Sequence, residues 1–174
     1  MTDPKYPIGK FTHEGKISRK QRSEWIKDIR LLPKQLKEVV SGLSDEQLDT
    51  PYRDGGWTVR QVVHHIADSH INSIVRFKLA LTENNPTISP YDEAAWANLA
   101  DSQLPIKVSL DFIKTLHARW MVLLQSMTNE DFAKTFYHPG SQKTNRLDHT
   151  LGVYAWHGKH HVAHIAELRK QKNW

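Results

Sequence analysis

The sequence predicts an all-α protein: a single-domain antiparallel four-helix bundle with a long crossover connection. Three observations carry that expectation. Four long stretches place apolar side chains at helical spacing. Capping-box pairs stand at helix starts, Ser18 with Gln21, Ser44 with Gln47 and Thr58 with Gln61. No stretch of any length alternates apolar and polar with the period of a strand. The chain has 174 residues, the length of one domain.

Residues 1–17 hold Pro4, Pro7, Gly9 and Gly15 and read as an extended arm that is ordered only where it docks. The first long helix spans residues 18–40, with Trp25, Ile29, Leu32, Leu36 and Val39 on one face. Pro33 inside it should kink or break it. Ser44 opens one short turn, and Pro51 with Asp54, Gly55 and Gly56 marks a turn. Thr58 opens the second long helix, to about residue 82. Residues 84–107, with Pro86, Pro90 and Pro105, form the long connection and hold a short helix near 92–99. Ser109 is expected to open the third long helix, whose stripe is Ile113, Leu116, Trp120, Leu123, Leu124 and Met127. One further turn at 128–133 and a polar loop at 134–147 lead to the last helix, about 148–172.

Composition narrows function. Hydrophobic residues make up 39% and charged residues 25%, and the longest unbroken apolar run is residues 120–124, far short of a membrane span. The N-terminal MTDPKYPIGK has no apolar core of a secretory signal, so a cytoplasmic location is expected. There is no cysteine, which excludes disulfides, a thiol nucleophile and any cysteine metal site. A net charge of +5 permits acidic ligands. The basic residues are spread along the chain and match no groove-reading motif, so nucleic acid is not the expected partner.

The unusual number is eleven histidines. Seven fall in two segments: His64, His65 and His70, then His157, His160, His161 and His164. At about 100° per residue, Val153, His157, His161, His164 and Leu168 share one stripe of the last helix, and His160 lies at its edge. Imidazoles therefore stand where packing wants aliphatic side chains. Buried imidazole is costly unless its nitrogens are satisfied, and a shared metal ion satisfies several at once. Two H-x₃-H pairs are available, His157/His161 and His160/His164, and the stripe favours the first. On the second helix the same construction puts His70 inside the apolar stripe, His65 at its flank and His64 opposite, toward solvent.

The segments GGWTVRQVVHHIADSH and YAWHGKHHVAHI together resemble the DinB-like metalloprotein superfamily, most closely its YfiT-type branch of metal-dependent hydrolases. The resemblance runs over nearly the whole chain. It implies a mononuclear divalent metal, with ligands His65, counted from Trp57, and the pair His157 and His161. His70 remains the competing ligand, and His164 stands at a position that is often Gln in relatives. The resemblance also implies a homodimer.

Three histidines with no fourth protein ligand leave a position open, which is the catalytic pattern for zinc. Zn²⁺ is the default ion, with Ni²⁺ the alternative, because imidazole suits both. Water acidified at such an ion leads to a hydrolase. The same position accepts a small-molecule thiol, and some DinB-like relatives resemble S-transferases that use bacillithiol or mycothiol. The partner expected in either case is a small-molecule substrate. A metal-storing or dimer-forming module without turnover is the third class. Asp68 and Glu167 are the candidate bases by proximity in sequence, although Asp68 should point away from the stripe. Arg76 and Asn72 share the flank of His65, and Trp57 and Trp156 are candidate pocket walls.

Overall fold

The computed structural model describes residues 3–174; residues 1 and 2 of the expected arm lie outside them. The four long helices are α1 (Arg19–Val39), α3 (Val59–Thr82), α5 (Ile106–Ser126) and α7 (Leu147–Lys172). Short helices α2 (Asp45–Leu48), α4 (Glu93–Trp96) and α6 (Asn129–Ala133) lie in the connections. The four-helix bundle is the one the sequence predicts. No helix among the described residues is long and apolar enough to cross a membrane.

Local chemistry sets the helix starts. The Ser44 and Thr58 side chains each accept from the backbone N–H three residues on, while the Gln side chain there accepts from the cap's own N–H. Ser18 accepts from the Gln21 N–H in the same way. Arg60, in the first turn of α3, is buried and pairs with Asp49 at 2.6 Å and Asp45 at 2.8 Å. It ties α2 to α3 where the chain turns into the bundle.

Each long helix packs mainly on two neighbours, α1 on α7 and α5, and α3 on α5 and α7. Contacts give the directions. Lys159 meets Asp28 and Arg169 meets the carbonyl of Val39, so α1 and α7 run parallel. His64 meets Ser109 and His70 meets His117, so α3 and α5 run parallel as well. The chain can leave α3 and enter α5 in the same direction only because the crossover between them returns along the length of the bundle.

Three expectations are corrected. First, α1 continues through Pro33, because Ile29, Leu32 and Leu36 on either side are buried and hold it in place. Second, α5 begins at Ile106, with Pro105 at its cap, so Ser109 sits one turn inside the helix. Third, the presumed loop at 134–147 contains a hairpin, β1 (Thr135–His138) paired antiparallel with β2 (Lys143–Arg146). Strands of four residues are too short to show a period of two. β1 also stitches the crossover to the bundle: Tyr137 N–H donates to the Pro86 carbonyl at 2.9 Å, and Ile88 N–H to the Tyr137 carbonyl at 3.0 Å.

The arm docks on α7. Trp156 donates its indole N–H to the Gly9 carbonyl at 3.0 Å, and Ile17 is buried in the core. The apolar core is in two parts. One is built around Ile29, Phe77, Trp120, Leu124 and Leu151, the other around Leu36, Val62, Ile66, Ile113 and Ile165. Histidines lie between them.

α1 and α7 approach closely at Gly158. A Cβ there would stand 2.6 Å from Leu32 Cδ2, and Leu32 is itself buried. Alanine gains about 1 kcal/mol of helix propensity over glycine. An overpacking cost of about 1–3 kcal/mol offsets or exceeds that gain, and Gly158→Ala is expected to lose up to about 2 kcal/mol net. Calorimetry of the metal-free protein checks the sign: a raised Tm would mean that α1 and α7 can separate freely.

Candidate metal centre

α3 and α7 cross antiparallel near their middles, and the two histidine segments meet there. His65 Nε2 lies 3.1 Å from His157 Nε2, and His161 Nε2 lies 3.2 Å from the same atom. His157 and His161 face the same way because they are one helical turn apart. The structure therefore brings together the three residues that the resemblance implied. Ligand nitrogens on a tetrahedral zinc ion, at about 2.0–2.1 Å from it, lie about 3.3–3.4 Å from one another. The observed spacings are within a few tenths of an ångström of that.

The donor set also fits a cation on chemical grounds. Three imidazole nitrogens aimed at one point cannot all be satisfied by hydrogen bonds among themselves, since each bond uses one proton and one lone pair. His161 Nδ1 is buried as well and has no partner among the described residues. Burial drives the rings toward the neutral, metal-binding form. His65 is pushed down from 6.5 to about 4 by desolvation. His157 and His161 are held well below 6.5, by burial first and by the neighbouring imidazoles second.

His70 is fully buried, as its stripe predicted, but it meets the far side of His157. Its Nε2 lies 3.2 Å from His157 Nδ1, not among the three converging Nε2 atoms. His164 stacks on Tyr52 with ring centroids 4.0 Å apart, and its Nε2 meets the Lys5 carbonyl of the arm at 3.3 Å. His160 stacks on Trp156 at 4.4 Å. His160, His161 and His164 also lie close enough to form a second three-nitrogen group, roofed by the N-terminal arm.

His64 is not solvated, contrary to the helical-wheel expectation. Its Nδ1 is 2.7 Å from Ser109 Oγ and its Nε2 2.9 Å from the Leu104 carbonyl. The wheel assumed one covered face, whereas α5 and the end of the crossover cover this one too. Asp68 lies with His64 and Asp101 along a cleft of about 210 Å³ on that side, away from the triad. Burial and the Asp101 charge raise its pKa to about 6. Glu167 is exposed on the rim of a small cleft beside His164. Asn72 bonds back to the Asp68 carbonyl within its own helix. Arg76 reaches the Tyr154 hydroxyl at 3.4 Å, with the Tyr154 ring 5.8 Å from that of His157. Trp57 covers His65 at 4.5 Å, so it does wall the site, while Trp156 serves the arm. A groove of about 570 Å³ between α1 and α5 lies elsewhere, and His117 is the histidine that lines it.

With this geometry established, comparison with known proteins defines the class. The DinB superfamily profile matches residues 28–165, and the chain belongs to that superfamily. A protein of Bacillus cereus (strain AH820) with the provisional name metal-dependent hydrolase is 55% identical over 174 residues, all of both chains. A Bacillus anthracis protein with the same provisional name is equally similar. YfiT from Bacillus subtilis, described as a probable metal-dependent hydrolase with an unusual four-helix bundle topology, superposes with a TM-score of 0.96 at 49% identity, covering 99% of each chain. A mycothiol-dependent maleylpyruvate isomerase shares the fold, with a TM-score of 0.63 at 18% identity over 81% of this chain and 59% of its own.

The depressed histidines make a pH prediction. A base whose folded pKa is depressed stays unprotonated in the native state, while the unfolded chain takes up the proton. Stability is therefore undiminished above the unfolded value of 6.5 and falls as pH drops from 6.5 toward 4. His117, held down to about 4, accounts by itself for on the order of 3 kcal/mol of that loss. Thermal melts of metal-free protein from pH 8 to pH 4 check this, and a flat Tm across that range contradicts it.

Proposed function

We propose that this chain is a metal-dependent hydrolase of small molecules, with one divalent ion per chain held by His65, His157 and His161. The observation that carries this reading is the convergence of three Nε2 atoms, from the buried His65 and His161 and the half-buried His157, with no carboxylate among them. Zinc is the default ion, because three histidines with an open position match its catalytic pattern; nickel suits the same donors. Bound there, the ion supplies Lewis acidity that acidifies water and polarises a substrate carbonyl.

The rest is the work of the chain's own side chains. Burial keeps the three rings neutral, so their lone pairs stay available near pH 7. Trp57 and Tyr52 close two sides of the histidine cluster and limit access of bulk water. Arg76, beside Tyr154, gives the neighbouring flank a cation suited to an anionic group on the substrate. The names of the 55% and 49% identical relatives support hydrolysis.

Thiol transfer is the second reading, favoured by the fold shared with the mycothiol-dependent isomerase. The chain has no cysteine, so the sulfur would come from a small molecule such as bacillithiol. All three proposed ligands come from one chain, so the site needs no partner copy. The homodimer is a separate proposal that the light-scattering mass of untagged protein tests.

Metal content by mass spectrometry, on untagged protein never exposed to a nickel column, tests the metal reading. We expect about one ion per chain, lost in His65→Ala and His161→Ala while the helical circular dichroism persists. No ion in the wild type, and no uptake of added zinc, would overturn it. Turnover of ester substrates without added thiol favours hydrolysis; turnover only with a thiol and an electrophile favours transfer.

A further inference from the structure

Pro33 stands in the middle of α1, where a proline has no N–H to give to the carbonyl four residues back. That carbonyl belongs to Ile29. It is not left without a partner: His117, on α5, donates its Nδ1–H to the Ile29 oxygen at 2.8 Å. A carbonyl oxygen can only accept, so the single proton of neutral His117 is on Nδ1 and Nε2 carries a lone pair. His70 Nδ1 lies 2.9 Å from that lone pair and must donate to it. His70 Nε2 is then an acceptor, and His157 Nδ1, 3.2 Å away, donates to it. What remains on His157 is a bare lone pair at Nε2, the atom that faces His65 and His161.

We propose that His117 and His70 are positioning residues that hold His157 in the Nδ1–H tautomer, so that its Nε2 reaches the ion already free of a proton. This deepens, and rests on, the metal reading of the triad. The direction of every hydrogen bond follows from one backbone carbonyl, and that carbonyl is free because of one proline. The rings that transmit it have little freedom to turn. His70 and His117 lie edge to edge, with ring centroids 5.0 Å apart and planes 16° from parallel, as an in-plane N–H···N bond requires. Trp120 and Tyr154 meet the His70 ring edge-on, with centroids at 5.7 Å and 5.2 Å. His70 is fully buried and His117, at the floor of the groove between α1 and α5, is only 2% exposed, so little solvent competes for their nitrogens. Burial keeps His117 neutral near pH 7, so the relay carries one proton per ring. α1 and α5 provide no ligand, yet through this chain they orient one.

Partners of this kind typically change metal affinity by about 10–100-fold when removed. The experiment has two readouts. The first is zinc affinity, by competition with a chromophoric chelator. His117→Leu should weaken binding about 10–100-fold, whereas His117→Gln, whose amide can donate to Ile29 and accept from His70, should recover to within about threefold of wild type. The second is the ring-nitrogen NMR spectrum of metal-free wild-type protein at pH 7.5, where His70, His117 and His157 should all show the Nδ1–H tautomer. Wild-type zinc affinity in His117→Leu, or an Nε2–H tautomer at His157, would overturn the proposal. If His117→Leu does not fold, the wild-type tautomers decide by themselves. If the wild type takes up no zinc, the metal reading fails, and an Nδ1–H spectrum would still support the relay while an Nε2–H spectrum would sink it.

Discussion

Neutral imidazole buried across the waist of a helical bundle is the interaction on which the rest of this structure depends. Apolar side chains fill the core on both sides, around Trp120 and Phe77 at one end and around Leu36 and Ile113 at the other. Between them lie His70, His117, His157, His161 and His65. A buried polar group without a partner costs about 1–3 kcal/mol. Several unpartnered rings in one layer would consume much of a small domain's stability, which is typically about 5–15 kcal/mol. The bundle tolerates the layer because His117 and His70 pass their hydrogen bonds along to His157 from the Ile29 carbonyl. The nitrogens that this arrangement leaves facing one another are the ones suited to an ion.

Much of the surrounding architecture keeps the layer in register. The Thr58 capping box starts α3 one residue after the cap, so His65 arrives near the end of its second turn. Arg60 anchors that first turn to Asp45 and Asp49. On the other side, Gly152 and Gly158 let α7 lie close against α1, where Trp25, Phe11 and Leu32 occupy the space of the missing side chains. Both glycines lower the helix propensity of α7, a weakness tolerated for the sake of close packing. Such local departures from the best sequence for a helix tend to mark functional or strained positions. Here Gly152 precedes the His157/His161 pair and Gly158 lies within it.

The N-terminal arm packs on the same histidine cluster. Lys5 offers its carbonyl to His164, Tyr6 packs near His160, and Trp156 holds Gly9. Together with Trp57 and Tyr52, these groups make the surroundings of the histidine cluster largely aromatic. An aromatic enclosure lowers the local dielectric, which keeps the rings neutral and strengthens their interaction with a cation.

The helices and the pairing within α7 were legible in the sequence. Capping boxes and a 3.6-residue period are local signals, and an H-x₃-H spacing puts two rings on one helical face wherever the helix goes. The wheel also found His70 buried, but burial does not say which ring a side chain meets. Motif resemblance, not periodicity, pointed to His65. A helical wheel places His64 toward solvent because it assumes one covered face, and α3 is covered on several. The hairpin at 135–146 leaves no signal in the sequence because four-residue strands carry no readable period. Pro33 looked like a helix breaker, since a sequence shows the lost N–H but not the ring that takes its place at Ile29. The existence of the four long helices and the H-x₃-H pair were therefore determined by the sequence alone, through forces that act within one or two turns. The meeting of α3 with α7, and the hydrogen-bond path from α1 through α5 to His157, were decided only by tertiary structure. Those contacts join residues 47 to 92 positions apart, and no local period encodes such a distance.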